Sequence, residues 1–170
     1  MKKIISSTLI ILISLISMVA SAQDQAKPAS PALKSTGKFG AANITISYGS
    51  PSVKGRKIWG ELVPYGKVWR TGANDATVID LDADVKVEGQ TLAKGSYSLF
   101  TIPEESEWTI IFNKKPKQWG AYSYKQEDDV LRVKVKPEKS ASFNESLNIA
   151  IANGKIFIRW ENLEVPISLK

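Results

Sequence analysis

The chain of 170 residues has no cysteine and no histidine. Without cysteine there is no disulfide, no thiol nucleophile and no thiolate zinc site. Without histidine a Ser-His-Asp triad, an imidazole general base and the common zinc ligand sets all fall away. Any catalysis would have to use carboxylates, Lys, Tyr, Arg, Ser or Thr. Any protein-held metal would have to be a hard cation bound by oxygen. The sequence implies no cofactor and no metal site. No stretch sustains a helical apolar period for more than a turn or two, and no internal repeat is present.

The one long apolar run is at the start. Met1-Lys2-Lys3 is basic, residues 4–19 are apolar apart from Ser and Thr, and Ala20-Ser21-Ala22 is a small-residue cleavage pattern. Residues 1–22 therefore read as a secretory signal peptide. The run is shorter than the roughly 20 apolar residues a spanning helix needs, so no stable membrane span is expected after cleavage. The expected location is outside the cytoplasm, in the periplasm or beyond the cell. A secreted domain without disulfides must be held by its core alone, and a mature chain of this length is enough for one domain with such a core. The formal net charge of +6 falls by two once Lys2 and Lys3 are removed. The remaining basic residues are dispersed rather than clustered, so nucleic acid is not an expected partner.

Residues 23–37, QDQAKPASPALKSTG, read as a flexible tether, which leaves residues 38–170 as a single domain. Within it the alternation of strands dominates. Residues 43–48 read as a first strand. Residues 76–87 alternate Ile79, Leu81, Ala83, Val85 and Val87 with Asp80, Asp82, Asp84 and Lys86, as one strand with a dry and a wet face. Residues 96–102 and 108–113 are apolar on both faces, as expected of central strands between packed layers. A loop with Trp119-Gly120 follows, then an edge-like segment from Tyr122 and Tyr124. Leu131, Val133 and Val135 mark another half-buried strand; Phe143, Leu147, Ile149 and Ile151 mark the next. Asn153-Gly154 predicts a type I′ hairpin into the strand carrying Ile156, Ile158 and Trp160. Val165-Pro166-Ile167-Ser168-Leu169 reads as a final edge strand, where proline is tolerated. The expected fold is all-β: an antiparallel β-sandwich of jelly-roll or immunoglobulin-like kind, with about eight or nine strands.

Residues 55–75, GRKIWGELVPYGKVWRTGAND, break the alternation. They concentrate Trp59, Tyr65 and Trp69 beside Arg56, Arg70, Asn74 and Asp75. An arginine fork suits a carboxylate, phosphate or sulfate, and Asn offers both a donor and an acceptor. With Trp59, Tyr65 and Trp119 as stacking surfaces, these residues, Trp69 among them, would form a cleft for a saccharide or small acidic molecule. A structural reading stands beside it: Arg70 paired with Asp75 or Glu61, Asn74 tying a turn, and the tryptophans filling the ends of the sandwich. Lys54-Gly55-Arg56-Lys57 lacks the spacing of a phosphate loop and reads as a tight turn. Asp80, Asp82 and Asp84 read as a solvated face.

The stretches SPSVKGRKIWGELVPYGKVWRTGAND, DVKVEGQTLAKGSYSLFTIP, EWTIIFNKKPKQWGAYSY and DDVLRVKVKP together resemble the family catalogued as domain of unknown function 2911, over about residues 38–170. The matching positions include Gly55, Arg56, residues 69–74 and Trp119-Gly120. Trp59 and Asp75 stand where the family pattern has Phe and Glu. Members are mostly secreted Bacteroidetes proteins. The resemblance implies an exported bacterial protein and carries no activity. The expectation is a noncatalytic exported β-sandwich that binds a small polar or saccharide ligand, or a protein of the envelope. The alternatives are a carbohydrate-active enzyme using Glu61 or Asp75, and a structural envelope component.

Overall fold

A β-branched or aromatic residue at every second position makes a strand with one face to bury, and most strands of this protein bury such a face. The computed structural model describes residues 29–170. The expected signal peptide and the start of the expected tether lie outside the described residues. The strands are β1 (Ala32–Phe39), β2 (Ala42–Gly49), β3 (Thr77–Leu81), β4 (Val85–Val87), β5 (Gln90–Leu92), β6 (Gly95–Ile102), β7 (Trp108–Asn113), β8 (Asp129–Val135), β9 (Glu138–Ala152) and β10 (Lys155–Ser168). One antiparallel sheet has the order β1-β2-β3-β6-β7-β8. The second layer is built on the β9–β10 hairpin. Bonds between Lys86 and Lys170 backbones, 2.8 and 2.9 Å, join β4–β5 to one side of it. On its other side Pro51 and Val53 bond to Leu147 and Glu145. The result is the antiparallel β-sandwich expected.

The two layers meet through Ile44, Ile46, Ile79, Leu99, Ile110 and Phe112 on one side and Leu147, Ile149, Ile156, Ile158 and Ile167 on the other, all within 1% of full burial. At the centre four indoles pack together. The Trp59 ring centroid lies 5.9, 5.0 and 5.8 Å from those of Trp69, Trp108 and Trp160, each edge to face. Trp69 stacks on Trp160 at 5.9 Å and 16°. Edge-to-face and offset-stacked geometries are the favourable ones for aromatic quadrupoles. A second, small cluster lies on the outer face of the large sheet, where Phe100 and Ile111 are covered by Ala76, Val68, Ala121 and Tyr124. That cover is why β6 and β7 are apolar on both faces.

Five local expectations change. The tether reading fails from Ala32 onward, because those residues form β1, paired along its whole length with β2 from Ala32↔Gly49 to Phe39↔Ala42. The composition suggested a linker, but an edge strand with one partner tolerates polar, small residues. The alternating run at 76–87 is two strands rather than one. Asp82 accepts bonds from the Asn43 backbone amide and Nδ2, at 2.6 and 2.5 Å, and Asp84 accepts one from the Lys94 amide at 2.8 Å. These carboxylates turn the chain from the large sheet into β4, so two of the three aspartates act as ties. The last two expected strands are one, β10, which carries a bulge at Glu161, φ +56°. Phe143 is 54% exposed rather than on the buried side, beyond the register shifts that this bulge introduces. Tyr122 and Tyr124 lie in a turn, not an edge strand. The Asn153-Gly154 hairpin turn forms as predicted, with φ of +50° and +69°.

Candidate functional site

The stretch singled out in the sequence is folded into two different environments. Its first half wraps the end of the sandwich. Lys54 and Gly55, at φ +48° and +68°, make the tight turn expected there, closed by the Arg56 amide on Val53 O at 3.0 Å. The Arg56 guanidinium bends back, with Nε donating to Val53 O at 3.0 Å and Nη2 to Ser52 O at 2.5 Å. Lys57 and Glu61 form an exposed ion pair at 3.1 Å. Tyr65 is half-buried against the core, and burial, then the Glu105 charge, pushes its phenol pKa up.

Trp59 and Trp69 are buried, each 8% exposed, so Trp59 does not offer the open stacking surface expected of it. The reason is long-range. Trp108 and Trp160, far along the chain, close over them. Trp69 also continues the large sheet, exchanging bonds of 2.7 and 2.9 Å with Thr101 on β6. Its Nε1 donates to Gly72 O at 3.2 Å.

Between Trp69 and β3 the chain makes a short excursion, residues 70–76, buried at Thr71, Gly72, Ala73 and Ala76 and exposed at Asn74 and Asp75, whose ends are held by the Thr77 amide on Arg70 O at 3.1 Å. Thr71 has φ +55° and Asn74 φ +64°. A β-branched residue at positive φ is strained by about 1–3 kcal/mol. Thr71 is held there by Thr77 Oγ1, which donates to its carbonyl at 2.8 Å, and by its own hydroxyl on Thr101 Oγ1 at 3.2 Å. Gly49 and Gly72 let the excursion lie directly on the end of β2. A Cβ on Gly49 would sit 2.1 Å from Ala73 O, and one on Gly72 would sit 2.8 Å from Gly49 O.

The outer side of this excursion meets the loop of residues 114–125. The Ala76 amide donates to Gln118 O at 2.9 Å and the Gly120 amide to Asn74 O at 3.1 Å. Asp75 and Trp119 therefore face each other as a bridge. The loop is fixed from beneath by buried Asn113, whose Nδ2 donates to Lys125 O at 3.1 Å and Asp129 Oδ1 at 2.9 Å. Its Oδ1 accepts from Gln118 Nε2 at 3.1 Å. Tyr124 donates to Asp129 at 2.6 Å, and buried Asp128 pairs with Lys115 and Lys114 at 2.6 and 3.1 Å. Those lysines hold Asp128 below the usual carboxylate range. The pair Asp128-Asp129, unremarkable in the sequence, is thus the anchor of the loop.

Two adjoining hollows share Asp75, Ala76 and Val78. One, of about 250 Å³, continues over Ser47 and Gly49 to Ala32 and Leu33. The other, of about 430 Å³, runs under Pro116, Lys117 and Trp119. Trp119 is 64% exposed and Tyr122 88%, on a loop whose backbone is clamped at both flanks of Trp119. Three expected residues, Asn74, Asp75 and Trp119, come together here. Ala32 and Leu33 were missed because their strand read as linker.

Arg56, Trp69 and Arg70 line a different and smaller pocket, of about 180 Å³, with Trp160, Gly72 and Ser30. Ala73 touches both this pocket and the groove. Among the described residues Arg70 has no carboxylate partner, which removes the expected pairing with Asp75 or Glu61. Its Nε is closed to solvent without a hydrogen-bond partner, at a cost of about 1–3 kcal/mol. Replacing Arg70 by Ala is therefore expected to leave stability within about 1 kcal/mol of the parent or to raise it, read by urea unfolding.

The sequence itself matches a family model over nearly the whole described chain. The model described as Protein of unknown function (DUF2911) matches residues 30–169. The chain belongs to that family. In this DUF2911 member the match starts eight residues before the resemblance read from the sequence, so β1 falls inside the family unit. No curated protein and no solved structure matches the chain. The family's motif residues are divided by the fold: Arg56 and Arg70 serve the small pocket, residues 69–74 the strained excursion, and Trp119-Gly120 the clamped loop.

Tyr124 offers a check on the anchor. Burial and the bond to Asp129 push its pKa up to about 12. The protonated phenol is favoured in the folded state, so its contribution is fully present below pH 10 and is lost as pH rises from about 10 to about 12. Unfolding followed across that window is expected to show falling stability, with a shallower decline in Tyr124→Phe. An equal decline in both proteins would disconnect Tyr124 from it.

Proposed function

We propose that this protein is a noncatalytic, exported binding module whose groove, along Ala32, Ser47, Val78, Asp75 and Trp119, takes a small polar or saccharide ligand. The observation carrying this reading is Trp119. A tryptophan 64% exposed on a backbone held at both neighbours by hydrogen bonds is a preorganised stacking platform. Asp75 and Asn74 beside it supply polar groups that orient a sugar hydroxyl. A glycosidase needs two carboxylates across the scissile bond. Of Glu61, Asp75 and Glu161, only Asp75 lines the groove, which favours binding over hydrolysis. The leader-like residues 1–22 support an exported location, in the periplasm or beyond it.

The test uses intrinsic fluorescence. The other four tryptophans are buried in mutual contact, so Trp119 is the indole a groove ligand would cover. Titration with a panel of neutral and acidic saccharides should give saturable quenching and a blue shift for at least one. Trp119→Ala should remove the signal and weaken binding, followed by calorimetry, at least about tenfold. Absence of any response across the panel, or a response that survives Trp119→Ala, would sink the reading. In that case a stable copurifying envelope protein would favour a partner-binding role.

A further inference from the structure

We propose that Arg70 and Arg56 form a separate binding site for a compact oxyanion, a carboxylate or phosphoryl group presenting two oxygens to Arg70. The site lies at the end of the four-indole core and meets the groove only at Ala73. It stands independently of the saccharide reading.

The inference rests on what the pocket offers and what it lacks. Its charged side chains are both arginines, and among the described residues neither has a carboxylate within ion-pair distance. The acidic residue nearest Arg56 in sequence, Glu61, is taken by Lys57, and Asp75, nearest Arg70, faces Trp119 across a backbone bridge. The buried unpartnered atoms on its lining residues are Arg70 Nε and Trp160 Nε1. Both are donors with no acceptor capacity. Six of the lining carbonyls are already engaged: Gly72 O accepts from Trp69, Ser30 O from Asn74, Pro51 O from Leu147, Val63 O from Gly60, Trp69 O from Thr101 and Arg70 O from Thr77. A pocket rich in donors and cations, with most of its own acceptors in use, is completed by a ligand that brings oxygens and negative charge.

The Arg56 side chain and the Arg70 backbone are also held in place. Two bonds to Ser52 O and Val53 O fix the plane of the Arg56 guanidinium and leave Nη1 without a hydrogen bond. Arg70 is the first residue of the excursion strained at Thr71. Strain of that kind persists where surrounding structure enforces it and accumulates at ligand sites. Charge that is positioned before binding loses little entropy on binding. The volume of about 180 Å³ is that of about six water molecules. It holds a phosphate, or a carboxylate with a short tail, and leaves no room for an oligosaccharide.

The experiment is a titration of the full chain, processed as the cell leaves it, with inorganic phosphate and, separately, with acetate and succinate. The readout is the NMR signals of arginine Nε–H and indole Nε1–H groups, with sodium chloride at matched ionic strength as control. The proposal expects saturable shifts of the Arg70 and Trp160 signals that chloride does not reproduce. Arg70→Gln should weaken binding at least about tenfold, with Arg56→Gln smaller in the same direction. Trp119→Ala should leave it unchanged. Response to phosphate alone assigns a phosphoryl ligand, and response to the carboxylates alone assigns an organic acid. Shifts that merely track ionic strength, or that survive both glutamine variants, overturn the proposal. Should Arg70→Gln fail to fold, the wild-type titration and Arg56→Gln still decide it. Loss of this site would leave the Trp119 groove standing, and the reverse.

Discussion

Trp108→Ala is expected to destabilise the protein by about 3–5 kcal/mol, the range for emptying a fully buried tryptophan site. Trp108 has no exposed surface, and its ring meets Trp59 at 5.0 Å and Trp69 at 6.4 Å, both edge to face. Removing it opens a cavity at the point where the residue 55–70 wrap meets the large sheet. The indoles around it cannot collapse inward, because Trp69 is tied to Thr101 by two backbone bonds and Trp59 also packs on Trp160. In a domain of this size the loss corresponds to about 10–20 °C in Tm, measurable by circular dichroism. A drop under about 3 °C would mean that the cluster is not the keystone of the core. Trp119→Ala is the control; that indole is mostly in solvent and its removal should change Tm little.

The second large effect is expected from a single methyl group. Gly49→Ala places a Cβ 2.1 Å from the carbonyl oxygen of Ala73. The obstacle is backbone, and that backbone is pinned. The Ala73 amide donates to Gly49 O at 3.2 Å, and Gly72 lies against the same carbonyl. No side-chain rotation relieves the overlap, so either β2 or the 70–76 excursion must move. The cost is expected to reach at least about 3 kcal/mol, the upper end for overpacking. Moving the excursion would also displace Asn74 and Asp75, so ligand response at Trp119 should fall with stability. Gly89→Ala is the comparison. Its Cβ would meet nothing within 4 Å, and only its φ of +82° opposes it, a penalty of about 1–2 kcal/mol. Similar losses in the two variants would argue against the tight Gly49–Ala73 packing.

Both effects bear on how far the site could be read from the sequence. The aromatic and Arg/Asn concentration at residues 55–75 marked the right end of the molecule, yet it merged three environments. Trp59 and Trp69 are core. Arg56 and Arg70 line one pocket, and Asn74 and Asp75 line another. An indole serves equally as core filler or as stacking platform, and nothing local distinguishes the two. What distinguishes Trp69 from Trp119 is whether Trp108 and Trp160 lie over it. Similarly, Arg70 looked ready to pair with Asp75, but Asp75 faces Trp119 across a backbone bridge.

By itself the sequence determined the fold class and most strand faces. Leu131, Val133 and Val135 point inward because alternate side chains of a strand share a face, a rule that needs no knowledge of the partner. It determined the Asn153-Gly154 turn, because these two residues accept positive φ in succession. It excluded thiol and imidazole chemistry outright, because those groups are absent. Only the tertiary structure decided that residues 32–39 are a strand, that Asp82 ends β3, and which tryptophans are buried. Two of these depend on a group distant in sequence, Asn43 for Asp82 and Trp160 for Trp59, and the edge strand depends on its pairing with β2. Periodicity records how a residue relates to its own backbone. Burial and pairing record which remote residues the fold brings to it, and that information is spread over the whole chain.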